Sequence, residues 1–141
     1  MPYTSVRRAI GVTAALSITA TLADQVELLA DALQHLRDAG VNMVQATGAG
    51  IDGTAYFYCV PEQVEAVKQM AASVGINIRD LPALVFEGED QPGAIVDVAR
   101  KIGAAGINIE YFSAAAVEGK YCAVFFFSAD DFDRAAVLFD A

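Results

Sequence analysis

The sequence predicts an α+β fold built from two tandem units, each running βαββαβ, and three observations predict it. Residues 24–43 recur as residues 90–109 at an offset of 66. Asp24 matches Asp90, Gln25 Gln91, Asp31 Asp97, Ala39 Ala105, Gly40 Gly106 and Asn42 Asn108, and most remaining positions are apolar in both copies. A short word, Gly then Ile or Val, Asn, and Ile or Met, stands at residues 40–43, 75–78 and 106–109. Each copy follows a helical pattern, because glycine takes the left-handed conformation that ends a helix and the apolar residues after it start a strand. Thirdly, helical and strand periodicities succeed one another in the same order in both halves. One unit has been duplicated, giving residues 15–80 and 81–141.

The elements follow in order. Ser17, Thr19 and Thr21 alternate with Ile18, Ala20 and Leu22, a half-buried strand over 17–22. A helix is expected over 24–39, with Val26, Leu29, Leu33 and Leu36 on its buried face. Residues 41–47 and 55–60 form a hairpin turning at Asp52-Gly53. Pro61 is expected to open a second helix that buries Val64, Val67, Met70, Ala71 and Val74. Short strands follow at 76–79 and, opening the second unit, at 84–87. The next helix spans 92–105 and buries Ile95, Val98, Ala99 and Ile102. A hairpin over 107–114 and 121–127 turns at Glu118-Gly119. Ser128 and Asp131 are placed to cap a last helix that buries Phe132, Ala135, Ala136 and Phe139.

That order is ferredoxin-like, with antiparallel sheets covered by helices on one face. The last strand of the second unit is missing, which leaves a sheet edge to be covered. The lead over residues 6–14 or a second chain would cover it. A unit of this size alone hides only about 60% of its unfolded surface, so the two units are expected to pack together, and the pair to self-associate as a homodimer or higher oligomer.

Composition narrows the function. There are 9 basic against 18 acidic residues, net −9, with 55% hydrophobic and 19% charged residues. Phosphate-rich partners are repelled by such a chain, so neither nucleic acid nor an anionic membrane is an expected partner. Two cysteines and one histidine exclude a zinc cluster and a disulfide framework. Arg7-Arg8 before an apolar run imitates a secretory signal, but the alternating threonines favour a strand, and a cytoplasmic location is expected. No nucleophile stands with a histidine base and no glycine loop cradles phosphate, so no catalytic residue, cofactor or metal is expected.

Glu89-Asp90-Gln91-Pro92-Gly93-Ala94, followed by Gly106-Ile107-Asn108-Ile109-Glu110-Tyr111, resembles the ACT domain family. These are small ferredoxin-like modules that bind amino acids and regulate metabolic enzymes or transcription. The resemblance covers residues 17–141 and implies a small tandem ACT protein, an allosteric regulator acting on a partner enzyme.

The family's site lies between the first strand and first helix of one module, facing the second strand of a neighbour. By position this implies Asp90, Gln91, Pro92, Gly93 and Ala94, with Asn108 and Ile109. The chemistry suits an amino acid or similar small zwitterion. A helix start offers N–H groups and a positive dipole end to a carboxylate. Gly93 lets backbone approach, Asp90 takes the ammonium, and Asn108 both donates and accepts. In the first unit Asp24, Gln25 and Asn42 are retained, while Val26-Glu27 replaces Pro92-Gly93 and puts a negative charge where the carboxylate would sit. Asn77 occupies the same word where the family binds nothing, so part of that asparagine's role is structural.

Two readings of function follow. One is a non-catalytic sensor that binds an amino acid between ACT units. The alternative is a ligand-free oligomerisation or protein-interaction module. A sensor keeps an open, polar space beside Gly93 and Asn108; an assembly module fills it with side chains. His35 is expected to be exposed, Cys59 and Cys122 apolar packing, and Glu87, Glu89 and Asp90 a solvated acidic rim. An enzyme of this fold is the least favoured reading.

Overall fold

The fold is taken from a computed structural model, which describes residues 8–21, 27–74 and 76–141. The elements run β1 (Arg8–Thr21), α1 (Leu28–Asp38), β2 (Met43–Ile51), β3 (Thr54–Pro61), α2 (Val64–Val74), β4 (Ile78–Glu89), α3 (Val96–Ala104), β5 (Tyr111–Val117), β6 (Lys120–Phe126) and α4 (Ala129–Leu138). The chain has the α+β, βαββαβ architecture expected.

Two units emerge. One is Ala14–Asp80; the other joins Met1–Thr13 to Leu81–Ala141. In the first, β1, β3 and β2 lie side by side. β1 runs antiparallel to β3 from Leu16 opposite Cys59 to Thr21 opposite Thr54, and β2 antiparallel to β3 from Met43 opposite Pro61 to Ile51 opposite Thr54. In the second, β6 stands between β4 and β5, with Ala83 opposite Phe126 and Glu89 opposite Lys120 on one side, and Tyr111 opposite Phe126 on the other. Residues 8–13 of β1 group with this unit, and β1 is the neighbour of β4 in strand order. Residues 8–13, within the lead expected over 6–14, therefore flank β4 in the second unit.

The helix endings obey one rule. Gly40 has φ +74° and Gly106 φ +70°. After them the N–H of Val41 donates to the carbonyl of Leu36 at 2.9 Å, and that of Ile107 to Ile102 at 3.3 Å. These six-to-one bonds close the helix on orphan carbonyls. Ile76 donates to Ala71 in the same pattern. A fourth copy closes α4 without glycine: Ala141 donates to Ala136 at 2.9 Å, with Asp140 at φ +54°. Both hairpins turn through paired left-handed residues, Asp52-Gly53 and Glu118-Gly119, the type I′ geometry that matches strand twist.

Several boundaries differ from the sequence expectation, each for a local reason. β1 is longer than 17–22, because Ile10, Val12 and Thr13 extend the β-branched run. The helix expected over 24–39 is seen over Leu28–Asp38, and residues 22–26 lie outside the described residues. Leu33 is 37% exposed, since the buried line of α1 runs through Ala32 and Leu36. Pro61 does not open a helix. It ends β3 opposite Met43, beside a register shift where its missing N–H breaks little of the ladder. The two short strands over 76–79 and 84–87 are one, β4, which passes through Pro82, whose carbonyl accepts from the N–H of Phe127 at 2.9 Å. β2 and β5 begin two to four residues late, because the residues after each helix-ending glycine are held by other bonds. Ala99 is exposed rather than buried.

The second unit's core is aromatic. Phe86, Phe125 and Phe127 are buried with Leu84, Val98, Ile102 and Ala135. Phe86 meets Phe125 edge-on at 5.6 Å and Phe139 at 4.9 Å, and Phe112 stacks on Phe125 at 5.5 Å. Such pairs add about 0.5–1.5 kcal/mol each beyond area burial. The first unit centres on Leu36, Cys59, Val67 and Met70. Among the described residues no helix is long and apolar enough to cross a membrane.

Candidate functional site

The segment from Asp90 to Val96 joins β4 to α3 and is the most distinctive loop of the second unit. Asp90 N–H donates to the carbonyl of Gly119 at 2.9 Å, which ties the exit of β4 to the far hairpin turn. Next comes a tight turn. Ala94 N–H donates to the carbonyl of Gln91 at 3.0 Å across Pro92 and Gly93, and Gly93 has φ +74°. Proline in the second place and a left-handed glycine in the third define a type II turn. A helix over 92–105 is thereby excluded; α3 starts at Val96, after Val96 N–H donates back to Gly93 at 3.0 Å.

This arrangement exposes the helix start. The residue at the N-cap is Ile95, whose side chain makes no capping bond. Its apolar group has no acceptor to offer, so the first-turn N–H groups of α3 lack the usual side-chain partner. Asp90, Gln91, Pro92 and Gly93 are exposed, while Ala94 is buried. Among the described residues, a Cβ built on Gly93 would meet only Cγ2 of Val96 within 4 Å, at 3.5 Å. Asp97 in the first turn adds one negative charge near the dipole end.

Asn108 and Ile109 approach from the other side of the core. Ile109 packs against the cluster that contains Ala94, which brings both predicted segments to one core. Asn108 is exposed, and its main-chain N–H donates to Oδ2 of Asp131 at 3.4 Å. Asp131 is itself placed by α4: its N–H donates to Oγ of the cap Ser128 at 3.3 Å, and its Oδ1 accepts from Nη1 of Arg134 at 3.3 Å. Nη2 of Arg134 donates to the carbonyl of Ala105 at the end of α3. One arginine and one aspartate thus brace the whole 105–108 passage. Only half of the expected capping box forms, since the Asp131 carboxylate serves Asn108 and Arg134.

The first unit repeats this brace with different atoms. Asn42 N–H donates to Oε1 of Gln63 at 2.8 Å. Its Nδ2 donates to Oε2 of Glu62 at 3.3 Å, and Glu62 N–H returns a bond to the carbonyl of Asn42 at 2.9 Å. Asp24 and Gln25 lie outside the described residues. Gln63 and Arg134 were not singled out from the sequence, and Asp131 was expected only to cap the last helix. A signal existed: Gln63 and Asp131 are related by the same offset of 68 that aligns residues 55–60 with 123–128.

The remaining polar groups are ordinary. His35 is exposed. Cys59 is buried and its thiol is pushed from the ordinary 9.0 up to about 11 by desolvation. Cys122, half-buried, is raised by desolvation and by the nearby Glu87 carboxylate. Among the described residues no cluster of three or more His, Cys, Asp or Glu side chains is arranged to hold a metal ion.

No protein-family model matches the chain, and no curated protein matches it significantly. Solved structures do match. Protein BT0572 from Bacteroides thetaiotaomicron superposes with a TM-score of 0.75 at 15% identity, over 92% of this chain and 88% of that one. The ligand-free regulatory subunit of aspartate kinase from Thermus thermophilus gives 0.66 at 16% identity, over 95% and 96%. Aspartokinase III of E. coli, in complex with aspartate and ADP, gives 0.62 at 10% identity, and this chain spans 34% of its length. The aspartate kinase regulatory subunits are ACT-domain proteins, and the chain has their tandem ACT-type fold.

Proposed function

We propose that this protein is a non-catalytic amino-acid sensor that regulates a partner enzyme. The observation that carries the reading is the uncapped start of α3 beneath an open Pro92-Gly93 turn. First-turn N–H groups without a side-chain cap and a positive dipole end receive the ligand carboxylate. Asp90 takes the ammonium, Gln91 and Asn108 supply directional polar contacts, and Ala94 and Ile109 form the apolar floor. Asn42, with Asp24 and Gln25, makes the corresponding contribution of the first unit. The fold is shared with regulatory rather than catalytic subunits, which supports a role without catalysis. A bound amino acid acts by its differential affinity for two states of the protein or of its complex.

Association is part of the same reading. β5 is an edge strand without a charged side chain, with Phe112 52% and Val117 72% exposed. An uncharged edge invites pairing with another chain, which favours a homo-oligomer and is also what an assembly module without ligand would show.

A thermal-shift screen against the twenty amino acids tests the sensor reading. A ligand at a hundred times its Kd adds about 2.7 kcal/mol of stability. At least one amino acid should raise Tm. If none does, the assembly reading stands in its place.

A further inference from the structure

The second unit has another cavity, unrelated to the α3 start. It encloses about 510 Å³, is open on one side, and is lined by Glu87, Gly88, Ala115, Val117, Lys120, Tyr121 and Cys122. That volume lies within the ~300–1,000 Å³ typical of small-molecule sites. Strand register explains its chemistry. Glu87 on β4 is opposite Cys122 on β6, and Cys122 is opposite Ala115 on β5. Two residues along, Glu89 is opposite Lys120, and Lys120 opposite Val117. Side chains two apart share a face, so Glu87, Glu89, Cys122, Ala115, Lys120 and Val117 look the same way. The core cluster takes the alternate residues, Phe86, Tyr121 and Ala123, so these six stand on the face away from that core.

We propose that this face holds a second binding site for a small zwitterion of the α-amino acid class, with Lys120 taking its carboxylate and Glu87 its ammonium. The two charges stand on adjacent strands in diagonal register, about 7–8 Å apart at the backbone and within reach of long side chains. Both are exposed, and among the described residues Lys120 makes no ion pair. Val117 and Ala115 give the ligand side chain an apolar wall. A simple anion would meet a chain of net charge −9, whereas a ligand of no net charge does not. The raised thiol of Cys122 stays neutral near pH 7 and adds no third charge.

Cys122 is also a reporter, because the other cysteine, Cys59, is fully buried and inert. The intact protein is treated with iodoacetamide, each of the twenty amino acids being added singly, and carboxamidomethylation of Cys122 is followed by peptide mass. Ethylamine and acetate serve as single-charge probes. An amino acid present at ten times its Kd leaves about a tenth of the sites empty and slows Cys122 labelling about tenfold. Neither single-charge probe should do so. Lys120→Met and Glu87→Gln, both at exposed positions, should each abolish the protection, and Gly93→Glu should leave it intact. The proposal is overturned if no amino acid protects Cys122, if a single-charge probe protects equally, if protection survives Lys120→Met or Glu87→Gln, or if Gly93→Glu removes it. It does not rest on the site at α3, and its failure would leave that reading untouched.

Discussion

The main-chain N–H of Asn108 donates to Oδ2 of Asp131, and the equivalent N–H of Asn42 donates to Oε1 of Gln63. In both units the asparagine after a helix-ending glycine is fastened to the opening of the next helix. The acceptor has changed from amide to carboxylate between copies, while the bond has been kept.

Asp131→Ala should therefore loosen the 105–108 passage. It removes the acceptor for Asn108 and the partner of Arg134, and an ordinary hydrogen bond contributes about 1 kcal/mol. A loss of about 1–2 kcal/mol is expected in urea denaturation. Asp131→Asn keeps an acceptor and should recover most of it. Equal losses for the two variants would mean that the bond to Asn108 contributes little.

Gly93→Glu tests the turn and the proposed ligand site together. A side chain at φ +74° costs about 1–2 kcal/mol, yet among the described residues nothing but Val96 crowds the new Cβ. The variant should fold with a modestly lowered Tm. Its carboxylate stands where the ligand's would bind, so any amino-acid-induced rise in Tm should vanish. Gly93→Ala carries the same strain without the charge and should keep part of the rise.

Glu118 occupies a left-handed position, φ +53°, in the β5–β6 turn, where asparagine or glycine is preferred. Glu118→Asn should stabilise the protein by about 0.5–1 kcal/mol, seen as a higher urea midpoint at unchanged slope. A lowered midpoint would show that the Glu118 side chain contributes more than the strain removes.

Burial holds the Cys59 thiol near 11 against an ordinary 9.0. As pH rises through that interval the unfolded chain loses the proton first, and the folded state loses its relative advantage. The contribution is complete below pH 9 and declines towards pH 11, by roughly 2 kcal/mol. Comparing wild type with Cys59→Ala isolates it: the difference in stability should shrink over this range. A constant difference would place a charged thiolate comfortably in the fold.

How much of this was legible in the sequence depends on what sets each feature. The duplication, the helix-ending Gly40 and Gly106 and the two hairpin turns were readable, because local backbone chemistry fixes them. Element starts were less so. Pro61 and Pro92 both looked like first helical residues, but one ends a strand and the other makes a type II turn, a choice made by Met43 across the sheet and by Gly93 next in sequence. Leu33 suits the helical period but sits at the rim, since only packing decides how wide the buried stripe is. Arg134 was invisible, because its distant partner, the carbonyl of Ala105, stands at the end of another helix, α3, far back in the chain.

The division of β1 between the units has a consequence for how such a protein is inherited and made. Residues 8–13 serve the half encoded last, and residues 14–21 the half encoded first. A cut at the repeat boundary would separate two pieces of which the later lacks a flank for β4. The copies can diverge in sequence, as Glu27 and Gly93 have, but neither can be lost or moved alone. During synthesis β1 must wait for β4 before its whole length finds partners.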